Sequence, residues 1–391
     1  MYKRLMSRRR TLWLGLGTLA SIGALFKNQV MSWNNQTQAI ETANRDFKVV
    51  GGASLKQRAA AKGLIYGVAI RYHNLFSNQK LAAVIAQECG MIVPEWELKW
   101  HVGNKPLRPT PDTFDFSAAD RMVKFSRTHK MQVRGHTLVW HESLPPWFGE
   151  TVNRQNAEQF LTKHIQTVVR HYAGQMHSWD VVNEAIEIDD GKPRGLRNTP
   201  WWQLLGENYI DLAFRVAAEA DPKALLVYND YGLDYDTPED EAKRTAVLKL
   251  LERLKSQGTP IHALGTQAHL SGGDNRFHPR KLRKFLSDVA DMGLKILITE
   301  MDVKDRTLPV NIQERDRIIA AAYEDFLSTV LDEPAVIAVL TWGLSDRYTW
   351  LSEFRPRPDR LPVRPLPFDA DMNRKLAWNA IARAFDQAPK R

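Results

Sequence analysis

One cysteine, Cys89, occurs in 391 residues, so the chain can close no disulfide of its own. It ends an apolar helical stretch, where a buried, inert thiol is expected. Cysteine pairs and the HExxH pattern are both missing, which leaves a metal centre little support. No glycine-rich phosphate loop follows the first strand candidate, and this weakens a nucleotide-binding open sheet. The uncharged apolar run 12–26 has 15 residues, short of the roughly 20 that a membrane-spanning helix needs. Acidic residues are absent from the first 40 positions, which hold six basic ones. The rest of the chain has 48 basic against 45 acidic residues, so the formal charge of +9 falls there to +3. So small a surplus, without a nucleic-acid-reading motif, argues against a nucleic-acid partner. With 43% hydrophobic and 25% charged side chains, the composition excludes disorder, collagen and multispan membrane classes.

What the first 40 residues do contain is a basic start, the apolar run, then Lys27 and a polar Asn/Gln-rich stretch, the layout of an export signal. Ser7-Arg8-Arg9-Arg10-Thr11-Leu12 resembles a twin-arginine motif, with an ordinary signal carrying extra arginines as the alternative. Residues 1–40 are therefore expected to be an export signal and spacer, and 41–391 a working domain in the periplasm or outside the cell. No membrane contact is expected beyond the signal.

From about residue 60, short apolar or β-branched runs alternate with amphipathic stretches for eight rounds. The strand candidates are 64–70, 91–95, 132–138, 178–183, 225–229, 263–269, 296–300 and 336–342. Helical patterns such as 80–89, 157–172, 209–220, 239–256, 279–292 and 314–331 separate them, and a last one, 374–385, follows. Eight βα units closing on themselves give a single (β/α)8 TIM barrel of the α/β class, with a doubly wound open sheet as the alternative. The strand ends favour the barrel. Glu95, His136, Asn183 with Glu184, Asn229 with Asp230, Gln267 with His269, and Glu300 stand at the C-terminal edges, which in a barrel form one ring. Residues 355–367, with five prolines and four arginines, read as a long loop after the eighth strand.

Two glutamates at strand tips, Glu184 and Glu300, suit glycoside hydrolysis: one carboxyl protonates the leaving oxygen while the other attacks or activates water. Each alone reads equally as a salt-bridged barrel residue. Their neighbours decide between these readings. Gly135-His136-Thr137-Leu138-Val139-Trp140-His141, Trp179-Asp180-Val181-Val182-Asn183-Glu184-Ala185, Tyr228-Asn229-Asp230-Tyr231, Gly265-Thr266-Gln267-Ala268-His269, Ile298-Thr299-Glu300-Met301-Asp302, Thr341-Trp342-Gly343 and Pro365-Leu366-Pro367-Phe368-Asp369 occur in that order. Over about residues 60–386 the sequence resembles glycoside hydrolase family 10, the endo-1,4-β-xylanases.

The resemblance implies a retaining, cofactor-independent enzyme acting on xylan or xylo-oligosaccharides, as a monomer. Glu184 would be the acid/base and Glu300 the nucleophile, about 5 to 5.5 Å apart as retention requires. It places Asn183 on the sugar 2-hydroxyl and His269, braced by Asp302, on Glu300. Gln267, His136, Lys99 and Trp140 would line the subsite beside the cleaved bond, with Glu95 and Asn229 among the substrate-facing groups. Trp342 and Trp350 would wall the cleaved residue, and Tyr231 would be a platform for the leaving sugars. Twelve tryptophans, ten of them between Trp96 and Trp378, suit a carbohydrate track, though Trp201 and Trp202 read better as packing or rim.

One departure touches this site: Trp96, in Glu95-Trp96-Glu97-Leu98-Lys99, stands where the family usually has an asparagine that binds the second sugar on the non-reducing side. Altered product lengths or reduced activity on short oligosaccharides are the expectation. Lys375-Leu376-Ala377 also departs, lacking a central proline, far from the chemistry. The loop arginines of 355–367 could attract xylan bearing acidic substituents, or form an ion-paired rim. Other readings are the same machinery on another β-1,4-glycan or aryl xyloside, and a glycan-binding barrel without catalysis.

Overall fold

Strands start where β-branched and aliphatic runs begin and stop where polar residues take over. A computed structural model describes residues 45–103, 106–274 and 276–391, of which Phe47–Arg391 form one unit. The export segment expected over 1–40 lies outside the described residues. The strands are β1 (Ile65–Ile70), β2 (Met91–Pro94), β3 (Gln132–Val139), β4 (Ser178–Asn183), β5 (Leu225–Asp230), β6 (Ala263–Thr266), β7 (His269–Ser271), β8 (Lys295–Lys304) and β9 (Val336–Thr341). All pairings are parallel: β1 through β6 pair in sequence, β6 pairs β8, β8 pairs β9, and β9 returns to β1. That closes an eight-stranded (β/α)8 barrel, and the open-sheet alternative falls.

The sixth strand differs from its expected form. Instead of running through 263–269, it breaks after Thr266 and resumes as the short β7, which pairs only with the upper part of β8, His269 opposite Asp302. The break sits at Ala268, whose φ of +59° is left-handed, a conformation that no strand accommodates. A helix outside the sequence reading, Ser117–Thr128, fills the crossover between β2 and β3.

Alternation along the strands divides the apolar residues between two cores. Ala69, Met91, Val93, Val227, Ala263, Leu297, Ala338 and Leu340 fill the barrel's interior beneath Trp342. A far larger cluster, including Tyr66, Ile92, Leu226, Ile296 and Val339, packs the outer strand faces against the helices. Cys89 is fully buried in that outer layer. Glycine is needed at Gly135, where a Cβ would lie 2.1 Å from the ring of buried Trp179.

Helices Leu55–Ala61 and Leu376–Gln387 pack against each other. Buried Glu88 accepts hydrogen bonds from Leu55 N at 2.9 Å, Trp378 Nε1 at 3.1 Å and the Arg374 guanidinium at 2.6 Å. Arg391 donates from its backbone to Lys62 O and from its side chain to Leu331 O, Glu333 O and Val336 O. These groups precede or begin β1 and β9, so Arg391 lies at the N-terminal end of the barrel.

The loop 355–367 is a clasp. Buried Arg357 donates to Leu308 O and Asp359, and Arg364 forms a two-pronged pair with Asp316 at 2.7 and 2.8 Å. Lys375 adds an ion pair to buried Asp346 at 2.9 Å. Two of the four loop arginines are thus committed to protein carboxylates. Among the described residues no helix is long and apolar enough to cross a membrane.

Candidate active site

The backbone ladder continues past the strand tips and fixes their heights. Glu184 N donates to Asn229 O at 2.8 Å, Gln267 N to Asp230 O at 3.0 Å and Glu300 N to Gln267 O at 3.0 Å. Four strand ends therefore meet in one bonded arc at the C-terminal face, where barrels present their reacting groups.

Glu300 is 5% exposed. One oxygen, Oε1, accepts from Asn229 Nδ2 at 2.8 Å, and Oε2 lies 3.3 Å from His269 Nε2. The other ring nitrogen, Nδ1, is 3.0 Å from Asp302 Oδ1, and Asp302 Oδ2 accepts from Trp350 Nε1 at 2.7 Å. Burial alone would weaken His269 as a base, but the two carboxylates outweigh it and raise its pKa to about 10. The imidazole is therefore a cation at neutral pH. Burial would likewise raise Glu300, yet the His269 hydrogen bond and the charges of His136, His269 and Arg134 overcome it, lowering its pKa to about 2.

Glu184 is held differently. Its Oε1 accepts from Gln267 Nε2 and its Oε2 from Trp140 Nε1, both at 2.8 Å. Burial dominates and raises its pKa; the negative charges of Asp230 and Glu300 push the same way, against the two hydrogen bonds. The surroundings thus drive the two carboxyl groups apart, Glu300 toward the ionised form and Glu184 toward the protonated one.

Asn229 joins further parts of the site: its Nδ2 also donates to Asn183 Oδ1 at 2.8 Å, and its Oδ1 accepts from Thr299 Oγ1 at 2.7 Å. Asn183 has no direct bond to Glu300. His136 Nδ1 lies 2.7 Å from Asp180 Oδ2, while its ring meets Trp342 edge-on with centroids 5.2 Å apart. Arg134 also pairs with Asp180, so a buried cation and anion lie beneath the histidine. Lys99 Nζ sits 4.8 Å from the Trp140 ring centroid and 5.8 Å from that of Trp342. Burial lowers its pKa, with Glu95, Glu300 and Glu184 opposing.

Glu95 and Tyr231 lie in two flanking sets containing residues that sequence reasoning missed. Glu95 accepts from Arg71 Nε at 2.8 Å, and the Arg71 guanidinium lies 4.0 Å over the Trp96 ring. Tyr231 Oη accepts from Arg197 Nη2 at 2.8 Å and donates to Glu187 Oε2 at 3.2 Å, with Lys243 Nζ 3.6 Å over its ring. Trp201 is fully buried and donates to Trp140 O. Nothing in the spacing of Arg71 or Arg197 marks them: Arg71 meets residues after β2, and Arg197 folds back on Glu184 and Glu187 of its own loop while reaching Tyr231 after β5. Among the described residues no group of three or more His, Cys, Asp or Glu could hold a metal ion.

Comparison with known proteins identifies relatives of the whole barrel. The model of "Glycosyl hydrolase family 10" matches residues 54–384. A beta-1,4-xylanase of Dictyoglomus thermophilum is 34% identical over 326 residues, covering 81% of this chain and 87% of that protein. Endo-1,4-beta-xylanase B of Thermotoga neapolitana is 33% identical over 322 residues, 82% of this chain and 87% of its own. Native xylanase 10B from Thermotoga maritima superimposes with a TM-score of 0.77 at 33% identity, covering 86% of this chain and 98% of that one. Xylanase 10B from Thermotoga petrophila RKU-1, solved in complex with xylobiose, gives 0.77 at 32%, covering 87% and 99%. A match across most of the chain, carried by relatives above 30% identity, means that this protein belongs to glycosyl hydrolase family 10.

Proposed function

We propose that the protein is an endo-1,4-β-xylanase that cleaves internal β-1,4-xylosidic bonds with retention, Glu300 being the nucleophile and Glu184 the acid/base. The observation that carries the reading is the opposite bias on the two carboxyls: His269 keeps Glu300 ionised while burial favours the protonated form of Glu184. In the first step a Glu300 oxygen bonds to the anomeric carbon as the glycosidic C–O bond breaks, and Glu184 gives its proton to the departing oxygen. In the second, the Glu184 carboxylate takes a proton from water, whose oxygen displaces Glu300 from the anomeric carbon. Both charges return to their starting state. Asn183 and Asn229, linked to each other and through Asn229 to Glu300, are placed to accept and donate at the sugar 2-hydroxyl, a contact that strengthens as positive charge develops.

Reducing ends released from glucuronoxylan, with the anomer of the first product read by NMR, test this. The parent should release β-anomers, and Glu300→Ala should lose on the order of 10³-fold or more of the rate. Initial α-anomers would overturn the retaining mechanism; equal activity of Glu300→Ala would overturn the assignment of the nucleophile. The profile of kcat/KM against pH should be bell-shaped. Activity needs Glu300 deprotonated, so its acid limb falls only as pH drops toward about 2. It needs Glu184 protonated, so its alkaline limb lies above the ordinary carboxylate range.

A further inference from the structure

The acid/base occupies an uncommon backbone conformation. Glu184 has a φ of +56°, left-handed for a residue with a side chain, at the point where β4 gives way to a loop. A turn of this kind persists only when its surroundings over-determine it. On one side Asn229 O takes the Glu184 N–H. On the other, Arg197 Nε donates to the Glu184 carbonyl at 2.8 Å.

Arg197 is held rigidly enough to do this. Its own backbone N–H bonds Ala185 O at 2.7 Å, and the neighbouring Leu196 bridges antiparallel to Ile186. Its Nη2 reaches Glu187 Oε2 at 3.0 Å and Tyr231 Oη at 2.8 Å. The side chain is 13% exposed. One planar guanidinium thus spans from the main chain of the acid to the aromatic ring after β5, with little freedom to tilt.

We propose that Arg197 is a positioning residue for proton donation: by fixing the left-handed carbonyl of Glu184 and the hydroxyl of Tyr231 on one rigid fork, it aims the Glu184 carboxyl at the departing oxygen. It rests on the reading of Glu184 as the acid. Arg197 touches no reacting atom and acts through Glu184 and Tyr231. What passes through Glu184 is confined to the step that needs a proton, whereas what passes through Tyr231 falls alike on both leaving groups.

The test is kcat/KM, which reports bond cleavage, on two aryl β-xylobiosides that differ only in the leaving group. Phenol leaves poorly and needs the proton, whereas 2,4-dinitrophenol leaves without one. Arg197→Met and Arg197→Lys, each with melting temperature measured beside the parent, should lose at least about tenfold on the phenyl substrate and less than about threefold on the dinitrophenyl one. The lysine keeps the charge without the fork, so it remains informative should the methionine fail to fold. Equal losses on both substrates, or none, would overturn the role of Arg197. Glu184→Ala is the internal reference and should show the same split more strongly. A Glu184→Ala protein without the split overturns the assignment of the acid itself, whereas the split in Glu184→Ala but not at Arg197 overturns only the positioning role.

Discussion

Trp96 stands where the resemblance to the family implies an asparagine, and its indole is clamped in place. Arg71 covers the ring at 4.0 Å while its Nε holds Glu95, and Gly103 approaches so closely that a Cβ there would lie 3.3 Å from the indole edge. An indole offers one donor and no acceptor, so hydroxyl groups that an amide would bond at this place meet an apolar surface instead. Trp96→Asn should therefore shift the products released from xylohexaose, with a change of threefold or more in the ratio of short to long fragments by chromatography, a difference of about 0.7 kcal/mol between binding registers. An unchanged distribution would show that the indole lies outside the sugar track. The tips that carry polar groups were legible in the sequence because an apolar strand that ends in Glu, Asn, Gln or His has few structural reasons to do so. Arg71 and Arg197 were not, since an arginine among 54 basic residues reveals its partners only once the loops have folded.

The break between β6 and β7 turns one expected strand into a short arm over the site. Gln267 and His269, on either side of left-handed Ala268, reach Glu184 and Glu300 respectively. Hydrophobic alternation could mark 263–269 as a strand, but not the single backbone angle that ends it, because Ala268 has no side-chain preference for that angle. Below the break, Gly265 allows Asn229 to cross: a Cβ would stand 2.3 Å from Asn229 Oδ1 and 2.9 Å from Thr299 Cγ2. Gly265→Ala should push the amide off Glu300, cutting kcat on xylan at least about tenfold while costing about 1–3 kcal/mol of stability by overpacking. Full activity in a folded Gly265→Ala protein would mean that Asn229 does not matter to turnover. The loop 355–367 was legible as a loop, yet its use was not. The Arg364 pair with Asp316 and the Arg357 bond to Leu308 O make much of it a clasp.

Across the whole molecule, the outer core carries an unusual polar pair. Arg108 is fully buried, its guanidinium 5.0–5.3 Å from the centroids of Trp100, Phe114, Trp147 and Phe160, and burial lowers its pKa to about 10. His164, stacked on Trp100 at 3.8 Å, is also fully buried, and neither ring nitrogen has a partner. Burial, aided by the Arg108 charge, holds His164 well below its ordinary pKa of 6.5. The folded state keeps it neutral while the unfolded chain takes up a proton below about 6.5. Above that pH both states hold it neutral and it adds no pH dependence; as pH falls beneath it, protonation of the unfolded chain costs the fold stability. Melting temperatures at pH 7 and pH 5 should differ less in His164→Phe than in the parent; an unchanged gap would place the acid sensitivity elsewhere.

The docking of Arg391 beside Lys62 and the start of β9 bears on how the enzyme meets a solid substrate. Arg391 sits at the N-terminal end of the barrel, while the carboxyl groups open at the other end. Xylan embedded in a wall or a fibre approaches from that other end alone. A support, tag or partner module joined through Arg391 would therefore hold the molecule from behind, leaving the cleft turned outward toward the polymer.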